Sequence, residues 1–267
     1  LTRFVPLGWE TSVAENVLKQ MDEGTLKPSE LPKARQQQLQ ARFNTLVQQA
    51  PATLHRYAKY NPPLSLEFRS GMGANAFALP GGKIVMTDGI VKAAADKGLP
   101  DDALVGVLAH EIGHVVHRHT TRMVVEQGVL NVGLGLALGD VSVIVSTGAS
   151  VMTGLAYSRS HEREADCYAI AVMRHAALPT APMGQLLLAI ARDEDNEEAQ
   201  KKDPDKGPAA GASAPASGAS TADAAHQRKT AQEIASHPVW SLLSSHPDTV
   251  ERATELERGH APHCAKG

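Results

Sequence analysis

Two histidines four residues apart, His110 and His114, constrain this 267-residue chain more than any other feature. On a helix, side chains at i and i+4 leave the same face about 6 Å apart, so the two imidazoles can close on one metal ion. Glu111 stands between them, turned by about 100° around the same helix. It is badly placed to be a third ligand and well placed to reach a water on the open side of the ion. The helix itself is legible. Leu99-Pro100-Asp101-Asp102 offers an N-cap and first-turn carboxylates, and Leu104, Val105, Val107, Leu108, Ile112, Val115 and Val116 supply apolar faces.

The spacing is H-E-x-x-H, a zinc-hydrolase pattern that also arises by chance, so a third ligand has to be found. Zinc chemistry needs three protein ligands and one open position for water. The best candidate lies in Ser158-Arg159-Ser160-His161-Glu162-Arg163-Glu164-Ala165-Asp166. If 157–173 is helical, Glu162 and Asp166 share a face. Glu162 can then bind the metal while Asp166 accepts the second N–H of a histidine ligand and fixes its tautomer. Glu164 points elsewhere; it reads as a surface carboxylate and is the runner-up ligand. His117 shares a face with His110 but lies about 10 Å along the axis, too far to join it on one ion. The longer pattern H-E-x-x-H-x-x-G-x-x-H fails, because His117 stands where it needs glycine and Thr120 where it needs histidine.

His110-Glu111-Ile112-Gly113-His114, then Glu162-x-x-Ala165-Asp166, then Ser245-His246-Pro247 with Arg252, resemble the HtpX, CAAX prenyl protease and mitochondrial Oma-type family of gluzincin zinc metalloproteases. Asn75-Ala76-Phe77-Ala78-Leu79-Pro80-Gly81-Gly82 resembles it too. The resemblance implies one Zn²⁺ per chain on His110, His114 and Glu162, a water that Glu111 deprotonates, and a proton that Glu111 then passes to the departing amine. It implies that the strand containing Asn75, Ala76 and Phe77 pairs with an extended protein or peptide substrate, although a purely structural hairpin is the alternative. It also implies a place beside the cleft for His246, donating to the developing oxyanion or capping the metal at rest; an ordinary helix-cap histidine is the other account. Arg252 is expected to pair with Asp166 or Glu162. By the same resemblance the chain belongs in membrane or envelope protein quality control, in the bacterial cell envelope, membrane-associated or periplasmic. Prenylated-protein processing occurs in the family as well, and no residue chooses between them. A catalytically silent zinc-binding scaffold or chaperone-like module is the alternative from another class.

The expected fold is α+β, a mainly helical zincin-like metalloprotease with a small sheet beside the active helix. Residues 1–60 read as an N-terminal helical extension, with helices near 9–21 and 32–50 and no part in the chemistry. Residues 61–192 form the catalytic core, with strands at 64–68, 74–79 and 83–87 and a Pro80-Gly81-Gly82 turn. A helix from Met183 to about Arg192 closes it. Residues 193–229 are a flexible low-complexity insertion, and 230–267 complete the catalytic domain. Residues 129–155 are apolar and long enough to span a bilayer, but Asn131, Asp140 and several glycines divide them; a helical hairpin touching core, partner or membrane fits better. A removed N-terminal membrane anchor is a further expectation, and nothing in the pattern sets an oligomeric state. The formal charge of −3 is scattered, which excludes a basic nucleic-acid surface. Cys167 reads as a buried thiol, with a disulfide to Cys264 left open.

Overall fold

The helix that carries His110 and His114 spans Asp102–Val116 and buries every residue from Ala103 to Val116. A helix apolar on all sides must be wrapped by other elements, and the rest of the chain does this. The computed structural model describes residues 2–126, 157–202, 242–247, 249–259 and 264. In order, these form α1 (Leu7–Gly24), β1 (Lys27–Pro28), α2 (Lys33–Gln49), β2 (Ser65–Ser70), β3 (Ala76–Ala78), β4 (Lys83–Thr87), α3 (Asp88–Asp96) and α4 (Asp102–Val116). A further helix, α5, covers residues 119–126. Then come α6 (Arg159–His175), α7 (Ala181–Lys202), the short α8 (Leu242–Ser245) and α9 (Thr249–Glu257). The fold is mainly helical with one small sheet, as expected.

The sheet runs β1-β2-β4-β3, with β2 and β4 parallel and the outer pairs antiparallel. Its two faces are read off β4. Ile84 and Met86 enter the main core, and Val85 turns to the other side, as a period of two requires. Val85 meets Ala14, Val17, Leu18 and Met21 of α1, so α1 covers one face of the sheet. The other face packs on Leu39 and Phe43 of α2, Ile90 of α3, and Leu104, Leu108 and Ile112 of α4. Strand β1 was not anticipated, since two residues are too few to show alternation.

Asp101 does not cap α4 with its side chain. Its two carboxylate oxygens instead accept from Arg35 at 2.7 and 2.6 Å, and Asp102 accepts from Arg42 at 2.5 Å, so the start of the active helix is tied to α2. By contrast, Ser158 caps α6 as its residue type prefers, its Oγ accepting from the His161 N–H at 3.2 Å.

Helix α7 outruns its expected end at Arg192. It continues through 193–202 because that stretch is rich in Glu and Lys, good helix formers once a helix is under way, and Asp193 pairs with Lys97 at 3.4 Å. The rest of the insertion, and the apolar 129–155 stretch, lie outside the described residues. No described helix is long and apolar enough to cross a membrane. Cys167 is not a free thiol: it is bonded to Cys264.

Candidate metal centre

Helix α6 lies close against α4 because Gly113 has no side chain there. A Cβ on Gly113 would sit 3.0 Å from Ala165 Cα and 3.1 Å from its carbonyl oxygen. At that distance Glu162, one turn before Ala165, reaches both histidines. His114 Nε2 is 3.3 Å from Glu162 Oε1 and His110 Nε2 is 3.5 Å from Glu162 Oε2. The two Nε2 atoms are 2.9 Å apart.

A metal fits this arrangement on chemical grounds. Ligands about 2.0–2.2 Å from a tetrahedral zinc stand about 3.3–3.6 Å from one another, which matches the 3.3 and 3.5 Å from Glu162 to the histidines, while the imidazole nitrogens are closer at 2.9 Å. Asp166 Oδ1 accepts from His110 Nδ1–H at 2.9 Å, which leaves the His110 Nε2 lone pair facing the cage. Two imidazole nitrogens cannot face each other at 2.9 Å without a cation or proton between them. In the protein alone that charge falls on His110. Burial lowers it, but the bonds to Asp166 and Glu162 outweigh burial and raise its pKa to about 10. His114 is driven well below its usual value by burial, with the charge on His110 adding to the effect.

His246 completes the cluster. Its Nδ1 lies 3.0 and 3.2 Å from the two Glu162 oxygens and 3.4 Å from His110 Nε2. His110, His114, Glu162 and His246, all buried, form the one group among the described residues able to hold a metal ion. The sequence leaves a fourth position to water and, by resemblance, puts His246 beside the cleft as oxyanion donor or resting cap; the structure brings its imidazole against the other three groups. Glu111 is beside the cage and 1% exposed; the Ala78 backbone N–H is a polar neighbour, and among the described residues neither carboxylate oxygen makes a hydrogen bond of normal geometry. His246 Nε2 is 3.6 Å from Glu111 Oε1. Burial raises the Glu111 pKa, against the opposing pull of His246 and His110.

Arg252 holds both carboxylates of the site. Its Nε donates to Asp166 Oδ2 at 2.6 Å, its Nη2 to Asp166 Oδ1 at 2.8 Å, and its Nη1 pairs with Glu162. Burial would raise Asp166 and Glu162. For Asp166 the Arg252 charge prevails, and for Glu162 His246 and Arg252 together prevail, so both stay ionised below their usual range. Glu164, the runner-up ligand, faces away from the cage. It accepts from His119 Nε2 at 3.0 Å, Arg122 at 2.8 Å and Arg56 at 3.1 Å.

Of the expected substrate strand, Ala76 is fully buried in the core, while Asn75 and Phe77 line a cavity of about 50 Å³ that reaches His246. Val17 and Met21 line the same cavity, so the N-terminal helix borders the site, which the sequence reading had not foreseen. Tyr157 also escaped notice: its ring stacks on His114 with centroids 3.8 Å apart. Nothing in the sequence assigns His119 a role, yet its Nδ1 is 2.9 Å from His114 Nδ1. Arg118 brings it there by taking φ of 55°, which breaks the helix after α4.

Two histidines from one helix and a glutamate from another, gathered with His246 into a metal-sized cluster beside a buried glutamate, define a zinc metalloprotease. The family follows from the whole sequence: residues 33–259 match Peptidase family M48, and the chain belongs to that family. A Vibrio cholerae protein named beta-barrel assembly-enhancing protease is 31% identical over 130 residues, covering 44% of this chain and 26% of that protein. The Saccharomyces cerevisiae mitochondrial metalloendopeptidase OMA1 is 33% identical over 105 residues, covering 38% of this chain and 29% of OMA1. The matched segments thus span less than a third of either relative.

Proposed function

We propose that the chain hydrolyses peptide bonds in extended protein segments, with Glu111 as general base and then general acid. The observation that carries this is the Glu111 carboxylate, buried beside His110, His114 and Glu162 with no hydrogen bond of normal geometry to the described residues. A bound zinc ion would polarise the substrate carbonyl and lower the pKa of a neighbouring water to about 7. Glu111 takes a proton from that water; its raised pKa suits it to hold the proton until the amine leaves. Asp166 and Arg252 keep the His110 ring and the Glu162 carboxylate oriented meanwhile. Strand β3 ends the sheet of described strands, and an extended segment added along it beside Asn75 and Phe77 would gain backbone hydrogen bonds without strict sequence demand.

In this reading His246 is a resting cap, since its Nδ1 occupies the corner the reacting water needs, and it must withdraw before catalysis. Bacterial envelope protein quality control, membrane-associated or periplasmic, is the proposed setting. The name of the Vibrio cholerae relative, a beta-barrel assembly-enhancing protease, supports it, as does the Cys167–Cys264 disulfide, a bond that persists in oxidising compartments such as the periplasm.

The test is casein cleavage alongside metal analysis. Glu111→Gln should keep one zinc per chain and lose at least about 100-fold in rate. Cleavage near the parent rate would refute the role, and zinc without any Glu111-dependent turnover in the parent would favour a silent scaffold. His246→Ala should raise cleavage by emptying the fourth corner. A loss of cleavage would instead make His246 an oxyanion donor.

A further inference from the structure

Each histidine of the active helix has its outward nitrogen occupied, but by different means. His110 donates directly to Asp166, which Arg252 holds. Among the described residues no carboxylate pairs with His114 Nδ1; it meets His119 Nδ1 at 2.9 Å, and His119 Nε2 meets Glu164 at 3.0 Å. Glu164 is in turn held by Arg122 and Arg56.

Only one direction of this chain is chemically sound. A carboxylate accepts, so His119 Nε2 carries the proton and donates to Glu164. His119 Nδ1 is then a lone pair, His114 Nδ1–H donates to it, and His114 Nε2 is left bare toward the cage. The reverse order would aim the bare His119 Nε2 at a carboxylate and put a proton on the nitrogen that must ligate.

Resting on the metal reading above, we propose that His119 and Glu164 are positioning residues for the second metal ligand: a relay through a second imidazole that fixes the tautomer and ring orientation of His114. Its geometry depends on Arg118. On an unbroken helix, residues five apart face about 140° away from each other, and the left-handed turn at Arg118 removes that separation. His119 is completely buried and its ring stacks on His161 at 4.6 Å, so it is held in place and does not sample solvent.

The experiment measures zinc affinity of the full chain by competition with a chromophoric chelator, and the visible spectrum of the cobalt(II)-substituted protein. His119→Phe removes the acceptor; it should weaken zinc binding about 10- to 100-fold and shift the cobalt bands. His119→Asn places an acceptor where Nδ1 was and should recover most of the affinity. Glu164→Leu, at a partly exposed site, should weaken zinc in the same direction and serves as the test if His119→Phe does not fold. Folded His119→Phe or Glu164→Leu with parental affinity and an unchanged cobalt spectrum overturns the proposal. A parent chain that binds no zinc overturns the metal reading itself and this inference with it.

Discussion

At the scale of single residues, the legible part of the site is the part written in helical periodicity. His110, Glu111 and His114 share one helix, and Glu162 and Asp166 share another, so spacing alone relates them. His119 was illegible because a positive φ at Arg118 intervenes, and nothing in the residue type arginine announces a left-handed turn. That turn is held by Glu10 at 2.9 Å, by the carbonyls of Thr2 and Val5, and by Tyr60 beneath the guanidinium at 4.4 Å. His117, next to the turn, predicts an acid sensitivity. Burial lowers its pKa to about 4, against a partial pull upward by Glu164. The unfolded chain takes up this proton near pH 6.5 and the folded protein only near 4, so stability should fall as pH drops through that window. Thermal melts from pH 8 to 4 should show the fall, and His117→Asn should make it shallower, with the buried His119 and His161 supplying the remainder. An unchanged slope in that variant would remove His117 from the account.

At the scale of elements, close approach between helices sets which side chains can meet. Gly113 sets α4 on α6, and Gly184 does the same for α7 on α9, where an added Cβ would lie 2.5 Å from the Ala253 carbonyl oxygen and 2.6 Å from the Glu257 N. Helix α9 carries Arg252, so its seating reaches the cage. Gly184→Ala should cost about 1–3 kcal/mol by overpacking and also weaken zinc retention, since α9 must shift and Arg252 with it. Urea denaturation paired with metal analysis checks both halves; a destabilised variant that keeps its zinc would uncouple them. The paired histidine helix, the helix of Glu162 and the hairpin of β3 and β4 were legible from pattern. The length of α7 and the existence of β1 were not, because an acidic low-complexity run and a Lys-Pro dipeptide carry no apolar period for a core to select.

At the scale of the whole molecule, the chain closes on itself around the cage. α1, which precedes the family match beginning at residue 33, lies over the sheet and sends Glu10 to Arg118. The Cys167–Cys264 bond closes a span of 97 residues and ties the end of the chain to the helix bearing Glu162. Replacing both cysteines with serine should lower unfolding stability by about 2–5 kcal/mol, and reductant should do the same to the parent but not to the variant. Identical denaturation curves for parent and variant would show that the bond contributes nothing. The imidazole seated in the fourth corner has a pharmacological consequence. On the proposed reading of His246 as a resting cap, a hydroxamate seeking the zinc must first evict it, so its measured affinity is the intrinsic affinity multiplied by the fraction of molecules in which that position stands vacant. Calorimetric titration should find His246→Ala binding the same hydroxamate more tightly than the parent, and screens run on the parent alone would underrate every compound of that kind.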